Sequence, residues 1–282
     1  MESAILKISC RDRKGLIAGI TNFVYSNSGN IITLGEFVDP ETKLFFMRIE
    51  WELNGFKIKT RDLPREIGKL AEKLGFSDLW EIFYSDIKPR MAIFVSKYDH
   101  CLYDLLLRHK AGELKCDIPL IVSNHQDLKK VADAFKVDFK HIPSENKEES
   151  EKMQLELLKK CKIDFIVLAR YMQVLSKDFV SHFESRIINI HHSFLPAFEG
   201  AKAYHQAHER GVKIIGATSH FVIKTLDQGP IIQQGVVSAS HKDTIDDLMT
   251  KGRDIERTVL ADAVKLFIEH RIFVSGNRTV IL

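Results

Sequence analysis

The stretch from Phe165 to Ile190 reads FIVLARYMQVLSKDFVSHFESRIINI. Two dense apolar runs, Phe165–Ala169 and Ile187–Ile190, stand on either side of a helical segment, Lys177–Phe183. Short apolar strands separated by a helix are the pattern of a sheet whose strands run parallel and are covered on both faces. The same alternation extends toward the N-terminus. Strands are expected at Met91–Val95, Pro119–Val122 and Asp138–Ile142, and helices at His100–His109, Asp127–Phe135 and Glu151–Cys161. Between the last two elements, Ser144–Ser150 is polar and expected to be mobile. Beyond the stretch, Ile214–Ile223 and Pro230–Ser238 look like an antiparallel pair added to the sheet. Thr244–His270 reads as a long helix with Gly252 inside it, and Arg271–Leu282 as a hairpin around Ser275-Gly276-Asn277.

The N-terminal part has a different rhythm. Ala4–Cys10 alternates like a strand, and Asp12-Arg13-Lys14-Gly15 turns into a helix whose face carries Leu16, Ile20, Phe23, Val24 and Asn27. Gly19 inside that helix suggests close packing, because glycine there costs about 1 kcal/mol against alanine. Asn30–Val38 and Lys43–Trp51 flank the turn Asp39-Pro40-Glu41-Thr42. Leu63–Leu74 is a helix ended by Gly75, and Leu79–Tyr84 a last strand. Strand, helix, strand, strand, helix, strand predicts a ferredoxin-like α+β unit. The polar link Ser85–Pro89 divides residues 1–84 from residues 85–282, which read as a doubly wound, mostly parallel α/β domain.

Composition excludes several classes. The 282 residues are 45% hydrophobic and 28% charged with a net charge of +3, an ordinary globular balance with no basic run for nucleic acid. Cys10, Cys101, Cys116 and Cys161 form no C-x-x-C pair, and such scattered cysteines fit a reducing cytoplasm. The start, Met1-Glu2-Ser3-Ala4-Ile5, has no basic stretch followed by an apolar one, so no secretion signal is expected. No apolar run approaches the roughly 20 residues that span a bilayer, and no membrane partner is expected.

The densest chemistry lies at Asn189-Ile190-His191-His192-Ser193-Phe194-Leu195-Pro196, where an apolar strand ends. Asn189 and His191 are two apart and share a strand face. An amide donor and an imidazole together suit a reacting carbonyl, one for the oxyanion and one for the proton. The same residues also read as a capped strand end with a satisfied histidine. Asp227, before Gln228-Gly229-Pro230, reads alone as a turn aspartate; near His191 it would orient the ring. Other chemistries have weaker support. Ser193, His191 and Asp227 lack a G-x-S-x-G elbow, and His191, His192 and His220 lack zinc-ligand spacing. His205 and His208 fit a helix surface. No G-x-G-x-x-G or Walker sequence implies a nucleotide.

The motif Asn189…Pro196 resembles the N-I-H-x-S-x-L-P signature of folate-dependent formyltransferases. The segment Gly216…His220…Asp227-Gln228-Gly229-Pro230-Ile231 resembles their second signature, and Leu168–Leu175 their folate-side loop. Residues Ile188–Phe198, Gly211–Thr218 and Gly276–Thr279 extend the likeness toward members that pass the formyl group to water. The resemblance implies catalytic Asn189, His191 and Asp227, without metal or cofactor. It implies a folate substrate along Met172, Gln173, Val174 and Leu175 and along Ile223, Lys224, Thr225 and Leu226. It implies hydrolysis of 10-formyltetrahydrofolate to formate and tetrahydrofolate, which supplies formate for purine synthesis and balances folate pools; the alternative is transfer to an amine acceptor. Members that formylate purine intermediates have a Gly/Ser-rich phosphate loop after the first catalytic strand. Here Ser96-Lys97-Tyr98-Asp99-His100-Cys101 stands in its place, which favours water as acceptor. The N-terminal part resembles an ACT domain. That implies a small amino-acid effector, glycine or methionine first, held at Asp12, Lys14, Gly15 and Leu16. A homo-oligomer, dimer or tetramer, is also expected, because exposed edges of small sheets pair between subunits.

Overall fold

The computed structural model describes residues 2–197 and 203–282. Phe198, the last residue of the stretch Ile188–Phe198, lies outside the described residues. The chain divides into two compact units. One takes Met1–Lys88 with Glu269–Ser275 and Val280–Leu282, and the other takes Pro89–Ile268 with Gly276–Thr279.

The first unit runs β1 (Ser3–Arg11), α1 (Leu16–Ser26), β2 (Ile31–Val38), β3 (Leu44–Glu52), α2 (Leu63–Leu74) and β4 (Trp80–Tyr84). Its antiparallel strands lie in the order β2-β3-β1-β4, as the ferredoxin-like pattern requires. Leu16, Ile20 and Val24 of α1 and Leu63, Ile67 and Ala71 of α2 are buried with the inner residues of the sheet. Gly19 is a close-packing position: a Cβ there would stand 2.8 Å from Leu74 Cδ1. Gly75 ends α2 at φ 75°, where glycine carries no Cβ penalty.

The second unit runs β5 (Arg90–Val95), α3 (His100–Lys110), β6 (Asp117–Ser123), α4 (Lys129–Phe135), β7 (Asp138–His141), α5 (Lys147–Lys160), β8 (Phe165–Leu168), α6 (Lys177–His182), β9 (Ile187–His191), α7 (Ala203–Arg210), β10 (Ile214–Phe221), β11 (Ile231–Ser238) and α8 (Ile245–Ile268). The sheet order is β11-β10-β9-β8-β5-β6-β7. Strands β5 to β9 pair in parallel, and β10 and β11 are antiparallel additions. From β5 the chain winds toward β7, then crosses to β8 on the other side. The crevice outside the carboxyl ends of β5 and β8 is therefore the topological switch point, the ordinary ligand position of such a sheet.

Two expectations differ from the structure. Residues 147–150, expected to be mobile, are the first turn of α5. Asn146 caps it by accepting from the Glu149 N–H at 3.3 Å, and Glu148 and Glu149 complement the helix N-terminus. The terminal hairpin, β12 (Ile272–Ser275) with β13 (Arg278–Ile281), was read as continuing the α/β part. Most of its residues group with the first unit. There Phe273 meets Phe46 edge-on at 5.6 Å, His270 stacks on Phe83 at 3.7 Å, and Lys7 Nζ donates to the Ile272 carbonyl at 2.8 Å.

Candidate active site

The site grows from the pairing of β9 with β10. In that register Asn189 lies opposite His220 and His191 opposite Thr218. Thr218 Oγ1 accepts from the Leu195 N–H at 3.0 Å and donates to the Ser193 carbonyl at 2.9 Å. Gln234 Nε2, from β11, donates to the Leu195 carbonyl at 3.0 Å. These bonds fix the turn after His191 against the antiparallel pair, so the strand end is rigid where the motif needs it.

Asp227 returns to the same place from the turn between β10 and β11. It adopts φ 53°, and the turn closes tightly. A Cβ at Gly229 would stand 1.7 Å from the Phe221 carbonyl oxygen, so only glycine fits. The turn brings Asp227 Oδ2 to 3.4 Å from His191 Nδ1 and Oδ1 to 3.6 Å from His220 Nε2. Hydrogen bonding to His191 and then to His220 holds the Asp227 carboxyl well below the usual carboxylate range, and outweighs the upward push of burial.

His191 is 6% exposed, and its Nε2 has no hydrogen-bond partner among the described residues. An imidazole held by a carboxylate at one nitrogen, with the other unpartnered, can donate to or accept from a reacting group. Asn189 is tied differently: its Nδ2 lies 3.2 Å from His220 Nε2. His220 Nδ1 is 2.9 Å from the Phe221 carbonyl, which can only accept, so that nitrogen carries a hydrogen. Its Nε2 faces both the Asn189 amide and the Asp227 carboxylate: bare, it accepts from the amide, and carrying a hydrogen, it donates to the carboxylate. In the sequence His220 stands only within a motif and a weakly supported zinc set. Its contacts make it the link between Asn189 and Asp227, and the only signal for that is its position across the strand pair from Asn189.

The two segments expected along a folate lie at strand ends. Residues 172–175 follow β8, with Met172 and Val174 exposed. The Met172 N–H donates to Ser96 Oγ at 3.0 Å, and Ser96 donates to Asn124 Oδ1 at 2.7 Å. Residues 223–226 follow β10 and are exposed at all four positions: Ile223, Lys224, Thr225 and Leu226. Leu175 and Val222 pack on one hydrophobic cluster, so both segments rise from the same side of the sheet. Exposed apolar side chains beside a polar constellation suit a flat heteroaromatic ligand.

The expected effector residues sit in the first unit. Asp12, Lys14, Gly15 and Leu16 line a cavity of about 460 Å³ with Glu36 and Phe45. Gly15 precedes α1 at φ 90° and gives it no side-chain cap, so the first N–H groups of the helix are left for another acceptor. Among the described residues, no helix is long and apolar enough to cross a membrane.

Residues 89–264 match the formyl transferase family. A formyltetrahydrofolate deformylase of Synechocystis sp. is 53% identical over 99% of this chain and 98% of its own. The crystal structure of a formyltetrahydrofolate deformylase from Pseudomonas syringae pv. tomato superposes with a TM-score of 0.96 at 40% identity, covering 100% of this chain and 95% of that one. A glycinamide ribonucleotide transformylase from Symbiobacterium toebii shares 31% identity and a TM-score of 0.66, covering 69% of this chain and 94% of its own. The match to the transformylase thus stops short of the whole chain, whereas the other two run from end to end: this chain belongs to the formyltetrahydrofolate deformylase family.

Proposed function

We propose that the protein hydrolyses 10-formyltetrahydrofolate to formate and tetrahydrofolate. The observation that carries this reading is His191, clamped by Asp227 at Nδ1 and unpartnered at Nε2, beside the Asn189 amide. Water adds to the formyl carbon. The protonated His191 and the free Asn189 N–H stabilise the oxyanion, worth about 10²–10³-fold per donor in such sites. Asp227 orients the His191 ring and takes part in placing and deprotonating the water. As the carbon–N10 bond breaks, His191, directly or through water, protonates N10, and the new carbon–oxygen bond leaves with formate. The pteridine lies along residues 172–175 and 223–226. Formate so released feeds purine synthesis and returns folate to its free form. The experiment is hydrolysis in oxygen-18-labelled water: label should enter formate, and unlabelled formate would end this reading.

Residues 1–84 act as an ACT regulatory domain for residues 85–282, in a cytoplasmic protein. The uncapped start of α1 supports a carboxylate site, and Asp12 and Glu36 offer negative charge for an ammonium. A free amino acid, glycine or methionine first, meets both requirements. Strand β2 is at the sheet edge and exposes Ile31, Ile32, Leu34 and Phe37, which supports assembly into a dimer or tetramer. Calorimetry with each amino acid on the full chain tests the site; no heat with either removes it.

A further inference from the structure

A cluster of the chain's own side chains lies on the segments that follow β5 and β8, at the switch point where such a sheet ordinarily takes a ligand. Arg170 follows β8 and Ser96 follows β5. Both therefore leave the carboxyl ends of adjacent parallel strands, with β9, which ends at His191, on the other side of β8. Arg170 is 8% exposed, and its guanidinium lies 4.9 Å over the Tyr98 ring. Its Nε is 3.5 Å from Oε2 of Glu256, a residue of α8 that is 1% exposed. The same oxygen is 2.8 Å from His100 Nε2, and Tyr204 donates to the other at 2.8 Å. Tyr204 in turn lies 5.9 Å from the His192 ring, which stacks on His191 at 5.2 Å.

This cluster is built against local cost. Arg170 holds φ 62°, a left-handed conformation that glycine would adopt freely. Its Nε and Nη1 are buried with no hydrogen-bond partner among the described residues. Stability alone favours neither feature. His100, Cys101 and Glu256 are close enough to share a metal ion, but burial pushes the Cys101 thiol far up and Arg170 already supplies the positive charge.

We infer that Arg170, Tyr98, His100 and Glu256 are a built-in plug that keeps phosphorylated amine acceptors out of the switch-point crevice, leaving water to reach the formyl carbon. The inference rests on the hydrolase reading and names its specificity determinant. α3 begins at His100, itself a member of the cluster, so a helix start, the ordinary cradle for a phosphate, lies at this crevice. An amine seated there would take the formyl carbon in a new carbon–nitrogen bond and leave its proton for N10. The transformylase of Symbiobacterium toebii is named for such an acceptor, a ribonucleotide amine.

The test uses the full-length protein and two variants. Arg170→Gly/Glu256→Gln removes both charges of the pair together, and Tyr98→Ala removes only the ring beneath the guanidinium. Formate release is measured first without amine, then against increasing ribose 5-phosphate and glycinamide ribonucleotide. The unaltered protein should ignore both compounds. In a variant that still turns over, each should inhibit formate release at least tenfold more tightly than in the unaltered protein. Turnover with no gain in sensitivity in either variant overturns the plug and leaves the hydrolase reading intact. Inhibition of the unaltered protein by the same concentrations also overturns it. No formate from the unaltered protein without amine counts against the hydrolase reading instead.

Discussion

Two histidines share one carboxylate at Asp227, and each has a different task. His191 is expected to touch the reacting carbon, whereas His220 ties Asn189 to Asp227. His191→Ala and Asp227→Asn should each lower kcat at least about 10²-fold in a protein that still melts cooperatively; steady-state rates near the original in either variant remove that residue from the chemistry. His191 first, and then His220, hold Asp227 ionised. A depressed pKa means that its stabilising charge is complete above the ordinary value of about 3.9 and is lost only as the pH falls below it. Carbon NMR of the labelled carboxyl should therefore show no Asp227 titration between about pH 4 and pH 9. A titration inside that window contradicts the clamp. The two-residue spacing of Asn189 and His191 was legible in the sequence. The approach of Asp227 was open, since an aspartate before Gly-Pro is ordinarily a turn residue. The contact of His220 with both was hidden, because strand register carries no local signal.

At the level of elements, the long helix α8 shows how packing overrides propensity. Gly252 sits in its interior, where alanine would be favoured by about 1 kcal/mol. A Cβ there would meet Tyr204 Oη at 1.9 Å, and that hydroxyl is the one that reaches Glu256. Gly252→Ala should lower the melting temperature despite its better helix propensity, with an overpacking cost of about 1–3 kcal/mol; a raised melting temperature would show that Tyr204 moves aside freely. Apolar runs such as 165–168 and 187–190 were legible as buried strands because they are short and nearly uncharged. The start of α5 was not, because its first turn is entirely polar and its order comes from the Asn146 cap and the buried Ser150 hydroxyl, 2.7 Å from the Asn146 carbonyl.

Across the molecule, the N-terminal unit carries part of the C-terminus. Residues 269–275 and 280–282 belong to it, so removing residues 1–86 would strip the hairpin of the surface that Phe273 and His270 occupy. Regulation is better examined in the intact chain. Asp12→Ala should abolish any response to glycine or methionine while leaving formate release without effector unchanged. An effector response that survives the substitution places the effector elsewhere. Coupling of this kind is typically about 1–3 kcal/mol, a change of roughly 5- to 150-fold in affinity. The sequence could not assign the hairpin to its unit, because its strands are short and pack on residues more than two hundred positions away in the chain, as Lys7 with Ile272 shows. The central claim is that water receives the formyl group at His191. The most direct measurement is the yield of formate and tetrahydrofolate from 10-formyltetrahydrofolate, with purified protein and no amine present. The two products should appear in equal amounts, at a rate that falls at least about 10²-fold with His191→Ala; turnover that begins only when an amine is added would contradict the account.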